Sequence, residues 1–258
     1  MFLKTNFLKE KLANGGKIIG TFVKLLDPAA TEILSLAGFD FLIFDMEHSP
    51  IDIKSLENMT RACLLGGAVP LARVTVNRPE NILTAMDVGL YGVQIPHVDT
   101  PEDARRAVSS VKYRLPRGDR GLALSQRSAG YGNMLADEYI GWVEDQTLIV
   151  VQIESMSAYE SLPEILKTDG VDVAFFGPMD LSQSLGVPGQ TDSPTVQRIL
   201  VEAPKIVSKY PNKQAGIWIS NPDDLKRFYS IGYRYFAIGG DTAFLNQRAK
   251  TIIQQVSD

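Results

Sequence analysis

A single (β/α)₈ TIM barrel is the fold this sequence predicts. Eight short apolar runs, rich in β-branched and aromatic residues, alternate with eight longer amphipathic runs. All of them fit within 258 residues, which suits one large α/β domain spanning residues 1–258. The first strand candidate ends in Thr21-Phe22-Val23-Lys24-Leu25-Leu26-Asp27, with no glycine-rich turn behind it. That counts against the alternative, an open doubly wound sheet built to hold a dinucleotide.

The elements follow in chain order. Ile18–Lys24 reads as the first strand and Ala29–Ala37 as the first helix, which Asp27-Pro28 starts by putting a capping residue before a first-turn proline. Phe39–Phe44 and Leu56–Leu65 form the second pair, Val69–Val74 and Asn81–Asp87 the third. Gly92–Ile95 is the fourth strand. Thr100-Pro101-Glu102 opens the helix Glu102–Val111 behind it. The stretch Pro116–Asp137 is long and irregular, rich in Gly, Arg and Ser. In a compact domain such a loop is functional or lies at an interface. Leu148–Ile153 with Ala158–Leu166, and Val171–Phe176 with Thr195–Lys209, continue the pattern. Gln214–Trp218 leads to Asn221-Pro222-Asp223, the start of a helix over Asp223–Ile231. Tyr235–Ile238 and Thr242–Val256 complete the barrel.

Composition narrows the function. Apolar residues make up 45% and charged residues 22%, with a net charge of −4. No basic face is evident, which speaks against nucleic acid and anionic membranes as partners. The one cysteine, Cys63, sits in an apolar helical run and reads as a core residue rather than a nucleophile. The N-terminal segment mixes acidic and basic residues, and no apolar stretch approaches the roughly 20 residues of a membrane helix. The expected compartment is the cytoplasm.

A barrel carries its active site at the carboxyl ends of its strands. The second strand ends in Asp45-Met46-Glu47-His48, the third in Arg73, and the fourth runs into Gln94-Ile95-Pro96-His97. The fifth ends in Gln152-Ile153-Glu154, and the sixth runs into Gly177-Pro178-Met179-Asp180. Charged and amide groups therefore converge on one rim. Glu154 and Asp180 close neighbouring strands and can share one divalent cation. An all-oxygen pair suits Mg²⁺ or Mn²⁺, with Co²⁺ a further candidate, and two histidines in the chain do not make a zinc cluster. The bland reading makes both of them solvated loop acids. His48 is the natural general base. His97 is equally well a site residue or an ordinary loop residue. Arg73 ends an apolar strand, so its guanidinium needs an anion. That anion is a substrate carboxylate, a developing enolate oxygen, or a neighbouring acid such as Glu47 or Glu154.

Several stretches, taken in order, carry a family resemblance. They are Gly38-Phe39-Asp40 with Asp45-Met46-Glu47-His48, Ala72-Arg73-Val74, Met86-Asp87-Val88-Gly89 and Gln94-Ile95-Pro96-His97-Val98. Arg117-Gly118-Asp119-Arg120-Gly121, Val151-Gln152-Ile153-Glu154 and Phe176-Gly177-Pro178-Met179-Asp180-Leu181-Ser182 complete the set. Together they resemble the 4-hydroxy-2-oxoheptanedioate aldolase family, class II pyruvate aldolases of the phosphoenolpyruvate/pyruvate barrel type. The resemblance implies a metal-dependent lyase that works through the enolate of pyruvate, with an aldehyde as second substrate. It implies Glu154 and Asp180 as metal ligands, His48 as proton acceptor and Arg73 as stabiliser of the transition state. It further implies that Asp87 raises the basicity of His48, and that Gln152 with the backbone at Met179 and Asp180 contacts the 2-oxo acid. A homohexamer, a trimer of dimers, is implied too. The sequence departs from the family at Tyr113-Arg114-Leu115-Pro116-Arg117, where two prolines are usual, at Met179 in place of alanine, and at His97 in place of methionine. These changes bear on the aldehyde. Two rivals stand beside this reading: citrate-type condensation, acyl-thioester lyase or decarboxylase chemistry on the same barrel, and a non-catalytic binding barrel.

Overall fold

The computed structural model describes residues 4–257. The chain begins with α1 (Phe7–Ala13), β1 (Ile18–Val23), α2 (Pro28–Leu36), β2 (Phe41–Asp45), α3 (Ile53–Gly66), β3 (Val69–Arg73) and α4 (Pro79–Asp87). It continues through β4 (Gly92–Ile95), α5 (Pro101–Val111), a 3₁₀ turn (Arg127–Gly132), α6 (Ala136–Gln146), β5 (Leu148–Ile153) and α7 (Met156–Leu166). It ends with β6 (Val173–Phe176), α8 (Pro178–Ser184), α9 (Pro194–Val207), β7 (Gln214–Ile219), α10 (Leu225–Ser230), β8 (Tyr233–Gly240) and α11 (Asp241–Val256). The eight strands pair in parallel in chain order, and β8 returns to β1, so the sheet closes into a barrel as the sequence predicts. Among the described residues no helix is long and apolar enough to cross a membrane.

The helix starts follow the capping chemistry. Asp27 accepts from the Ala29 N–H, and Thr100 with Asp103 forms a complete capping box. Three helices escape sequence reading. The seven-residue α1 is short; α6 has Leu135 at its start with no capping side chain; the seven-residue α8 follows β6 directly. The expected helix at Asp223–Ile231 is instead a 3₁₀ turn at Pro222–Asp224 followed by α10.

Strand alternation sorts the side chains. Leu42 and Phe44 of β2 pack outward against the helices, while Phe41 and Ile43 fill the lumen. Val69 and Leu71 of β3, Leu148 and Val150 of β5, and Val173 and Phe175 of β6 face inward in the same way. Leu8 and Leu12 of α1 belong to this interior cluster, so α1 plugs the amino end of the barrel. Cys63 is buried in the outer layer, and burial pushes its thiol up to about 12, so it stays an inert core residue.

The closing seam between β1 and β8 carries its own staple. Thr21 Oγ1 donates to the Ile238 carbonyl at 2.7 Å. The buried Asp241 carboxylate accepts from the N–H groups of Lys24, Leu25 and Thr242. One side chain at the head of α11 thus fixes the backbone that leaves β1.

Candidate active site

The inward parity of each strand continues to its carboxyl end, and there the inward residue turns polar. Phe41 and Ile43 are followed by Asp45, Val69 and Leu71 by Arg73, and Leu148 and Val150 by Gln152 and Glu154. The register brings Asp45 opposite Arg73, and Arg73 opposite Gln94.

Arg73 is the centre of one half of the site. Its Nε and Nη2 donate to the two carboxylate oxygens of Asp45 at 2.9 and 2.7 Å, a bidentate fork, and Nη1 lies 3.2 Å from Glu47 Oε2. The guanidinium also sits over the Phe22 ring, 4.8 Å from its centroid. Lys24 adds a second cation, its Nζ 3.1 Å from Asp45 Oδ2. Burial pushes the Asp45 carboxyl up. The Arg73 fork, the His48 N–H and the Lys24 charge outweigh that and hold it below the usual carboxylate range. Both members of the Asp45–Arg73 pair are buried, and breaking such a pair costs about 3–5 kcal/mol, so the fork is rigidly held.

The other half is built on β4, β5 and α8. Gln152 Nε2 donates to Glu154 Oε2. His97 has φ 52°, and in this left-handed conformation its N–H donates to Glu154 Oε1 at 2.9 Å. Its ring Nδ1 lies 3.1 Å from the same oxygen, and its Nε2 lies 3.5 Å from Glu47 Oε1. Burial raises the Glu154 carboxyl above its usual range, against the hydrogen bonds from His97 and Gln152, and the Asp180 charge adds to the rise. Asp180 stands in the first turn of α8, close to Glu154. A Cβ built on Gly177 would lie 3.5 Å from Asp180 Oδ2 and 3.8 Å from Glu154 Oε2, so the missing side chain leaves a gap that both carboxylates face. That gap and its all-oxygen donors fit a hard divalent cation. Among the described residues no cluster of three or more His, Cys, Asp or Glu is arranged around a metal. Two carboxylates are what this chain offers one.

Both halves line one open cavity of about 430 Å³, walled by Lys24, His48, Arg73, Gln152, Asp180 and Trp218 among others. A cavity of about 410 Å³ lies at the opposite end of the barrel, beside Lys9, Lys112 and Asp172. One cation there is already satisfied: Lys112 Nζ donates to the carbonyls of Val143 and Glu144 at 2.8 and 2.7 Å, at the end of α6.

The structure brings His48, Arg73, Gln152, Met179 and Asp180 to that cavity, with Glu154 behind Gln152. His48 is more than half exposed there, with Nε2 3.8 Å from Glu47 Oε2. Met179 is half exposed at the rim. The N–H groups of Met179 and Asp180 fall in the first turn of α8, where the helix supplies them no acceptor. Asp87 ends α4, away from His48 within the chain. Its carboxylate accepts from Arg120 Nη2 at 2.6 Å, and no hydrogen bond or ion pair joins it to His48 within the chain. Sequence reading offered Glu47 as a partner of Arg73, as the structure has it, but left Asp45 and Gln94 on the rim without a role and gave Lys24 none. Inward parity was the signal that could have given Asp45, Lys24 and Gln94 their setting.

A closed parallel barrel with its ionisable groups gathered on the carboxyl rim has the layout of a barrel enzyme. Residues 18–247 match the HpcH/HpaI aldolase/citrate lyase family, and the chain belongs to it. A 5-keto-4-deoxy-D-glucarate aldolase of Salmonella paratyphi C is 36% identical over 240 residues, 92% of this chain and 91% of that protein. A hydroxypyruvate/pyruvate aldolase of Roseobacter denitrificans is 34% identical over 248 residues, covering 96% and 95% of the two chains. Among solved structures, an HpcH/HpaI aldolase/citrate lyase family protein from Burkholderia cenocepacia superposes with a TM-score of 0.93 at 30% identity. The match covers 98% of this chain and all (100%) of that one.

Proposed function

We propose that the chain is a divalent-metal-dependent aldolase that forms or cleaves 4-hydroxy-2-oxo acids through the enolate of pyruvate or a close analogue. One observation carries the reading: the gap over Gly177, faced by Glu154 and Asp180, opens on the same cavity as the Arg73 fork. Glu154 and Asp180 would hold the cation, which when bound supplies Lewis-acid activation of the 2-oxo acid. Gln152 and the N–H groups of Met179 and Asp180 bind and orient the acid. His48 takes the methyl proton. Arg73, locked by Asp45, meets the negative charge that develops on the oxo oxygen. The names of the two aldolase relatives support a small oxo acid as substrate. The purified protein with Mg²⁺ or Mn²⁺ should exchange the methyl protons of pyruvate in D₂O with no aldehyde present. No exchange would overturn the reading. Exchange without any aldehyde acceptor, but with condensation onto an acyl thioester or a second oxo acid, would move it to citrate-type chemistry.

Arg73→Lys keeps the charge and loses the fork. Exchange should fall about 100-fold while Mn²⁺ still binds, because one preorganised oxyanion donor is worth about that much. A lysine variant with the wild-type rate removes Arg73 from the enolate role.

Lys24 bears on the aldehyde. It lines the cavity about one-third exposed, and its ion partner Asp45 is already forked to Arg73. The ammonium therefore suits an acceptor that carries its own carboxylate, as a glucarate-derived aldehyde does. Lys24→Met should raise KM about 10-fold for a carboxylate-bearing aldehyde and leave a neutral aldehyde of equal size unaffected, the value of one charge-assisted hydrogen bond. Equal losses for both aldehydes would assign Lys24 to structure.

The proposal extends to assembly. Along α11 only Asp241 is buried, and Leu245, Ile253 and Val256 are each more than 60% exposed (64, 62 and 74%). Ile33, Leu36 and Leu65 on α2 and α3 are also bare. Apolar surface of this extent fits a homo-oligomer, a hexamer by family resemblance. Light scattering at micromolar concentration should report it, and a clean monomer would overturn it.

A further inference from the structure

The lumen of the barrel holds a polar chain that runs from two residues the proposed reaction does not use to two that it does. Tyr235 on β8 and Gln94 on β4 point inward from strands four places apart in an eight-strand ring, so they meet across the barrel. The Tyr235 hydroxyl donates to Gln94 Oε1 at 3.3 Å, Gln94 Nε2 donates to Gln152 Oε1 at 2.9 Å, and Gln152 Nε2 donates to Glu154 Oε2. Tyr235 and Gln94 are fully buried (0% exposed), and Gln152 and Glu154 are 2% and 5% exposed. The Tyr235 ring is fixed by Phe41, with centroids 4.5 Å apart, and by Phe175 at 5.6 Å.

The direction of this chain follows from charge. An ionised carboxylate only accepts, so Gln152 must turn its NH₂ to Glu154 and its carbonyl to Gln94. Gln94 must then turn its own NH₂ to Gln152 and its carbonyl to Tyr235, where a hydroxyl can donate. Burial pushes the Tyr235 phenol well above its ordinary range, so it keeps the proton that this end of the chain requires. A flipped amide at either glutamine would set carbonyl against carbonyl, or carbonyl against carboxylate, among buried side chains where an unmatched polar pair is costly.

We propose that Tyr235 and Gln94 are positioning residues for the oxo-acid site: they lock the Gln152 amide so that its N–H edge faces Glu154 and the cavity. The inference rests on the reading of Gln152 and Glu154 given above. Their contribution is to binding, and it passes through Gln152. Neither residue touches the reacting atoms.

The test is a double-mutant cycle on the full-length protein. Tyr235→Phe deletes only the terminal donor. Gln94→Leu removes the link at nearly constant volume. Each single variant should raise KM for pyruvate in the exchange reaction about 5–10-fold, the worth of one buried hydrogen bond, and change kcat less than about twofold. In the Gln94→Leu background, Tyr235→Phe should add nothing further, because the hydroxyl no longer has an acceptor that leads to Gln152. Additive effects of the two changes, or a lowered melting temperature with unchanged KM, would overturn the relay and leave the aldolase reading standing. A wild-type protein that exchanges no pyruvate protons would instead reject the aldolase reading, and the relay's role with it.

Discussion

Exhaustive chelation is expected to abolish pyruvate methyl-proton exchange, and Mg²⁺, Mn²⁺ or Co²⁺ to restore it. The protein offers a cation two carboxylates and no imidazole or thiolate cluster, so hard ions that keep waters and take substrate oxygens suit it. Such a pair binds weakly enough for a chelator to strip it. The Glu154 carboxyl carries a further consequence. Burial raises it, and the Asp180 charge raises it more. Proton and cation therefore compete for Glu154, and cation affinity should weaken as pH falls through that raised value. Titration of Mn²⁺ by electron paramagnetic resonance at several pH values would follow this. Full exchange after chelation would remove the cation from the mechanism. A lysine adduct trapped by borohydride with pyruvate would point to an imine, and Lys24, the lysine lining the rim cavity, would be its site.

His48→Ala should lower exchange about 10²–10⁴-fold, the usual contribution of a positioned general base. Mn²⁺ affinity should be unchanged, since His48 faces Glu47 rather than the Glu154–Asp180 gap. A variant that keeps the wild-type rate hands the base role to another group. His97 is one such group, with its ring against both Glu154 and Glu47. A variant that loses Mn²⁺ makes His48 a ligand.

The barrel was legible because its signal is periodic: β-branched runs of strand length, each followed by an amphipathic helix with a capping residue and proline at several starts. Rim residues were legible wherever a polar group broke the apolar pattern at a strand end, as at Asp45, Arg73 and Glu154. Motif order says nothing about which end of the barrel Asp87 occupies; within the chain it ends α4 and meets Arg120. Gln94 and Tyr235 were hidden for a different reason. Each is a single polar side chain set on an apolar strand, and their meeting depends on the diameter of the barrel, a property of all eight strands together. Lys24 looked like the end of a strand until the cavity and Asp45 gave it a setting.

The staple at the β1–β8 seam also sets a clock. Asp241 binds the Lys24 and Leu25 amides across 217 and 216 residues of chain, and Thr21 reaches Ile238 over the same span (217). During synthesis, β1 leaves the ribosome before the other strands of the barrel and its partner β8 after them. Until then β1 keeps one edge unpaired, with its amides open to any passing strand. The backbone that carries Lys24 into the cavity has no anchor over that interval. A nascent chain stalled before Asp241 therefore has most of its helices and rim groups but no finished mouth, and the bare flank of its oldest strand stays open for longer than any other edge.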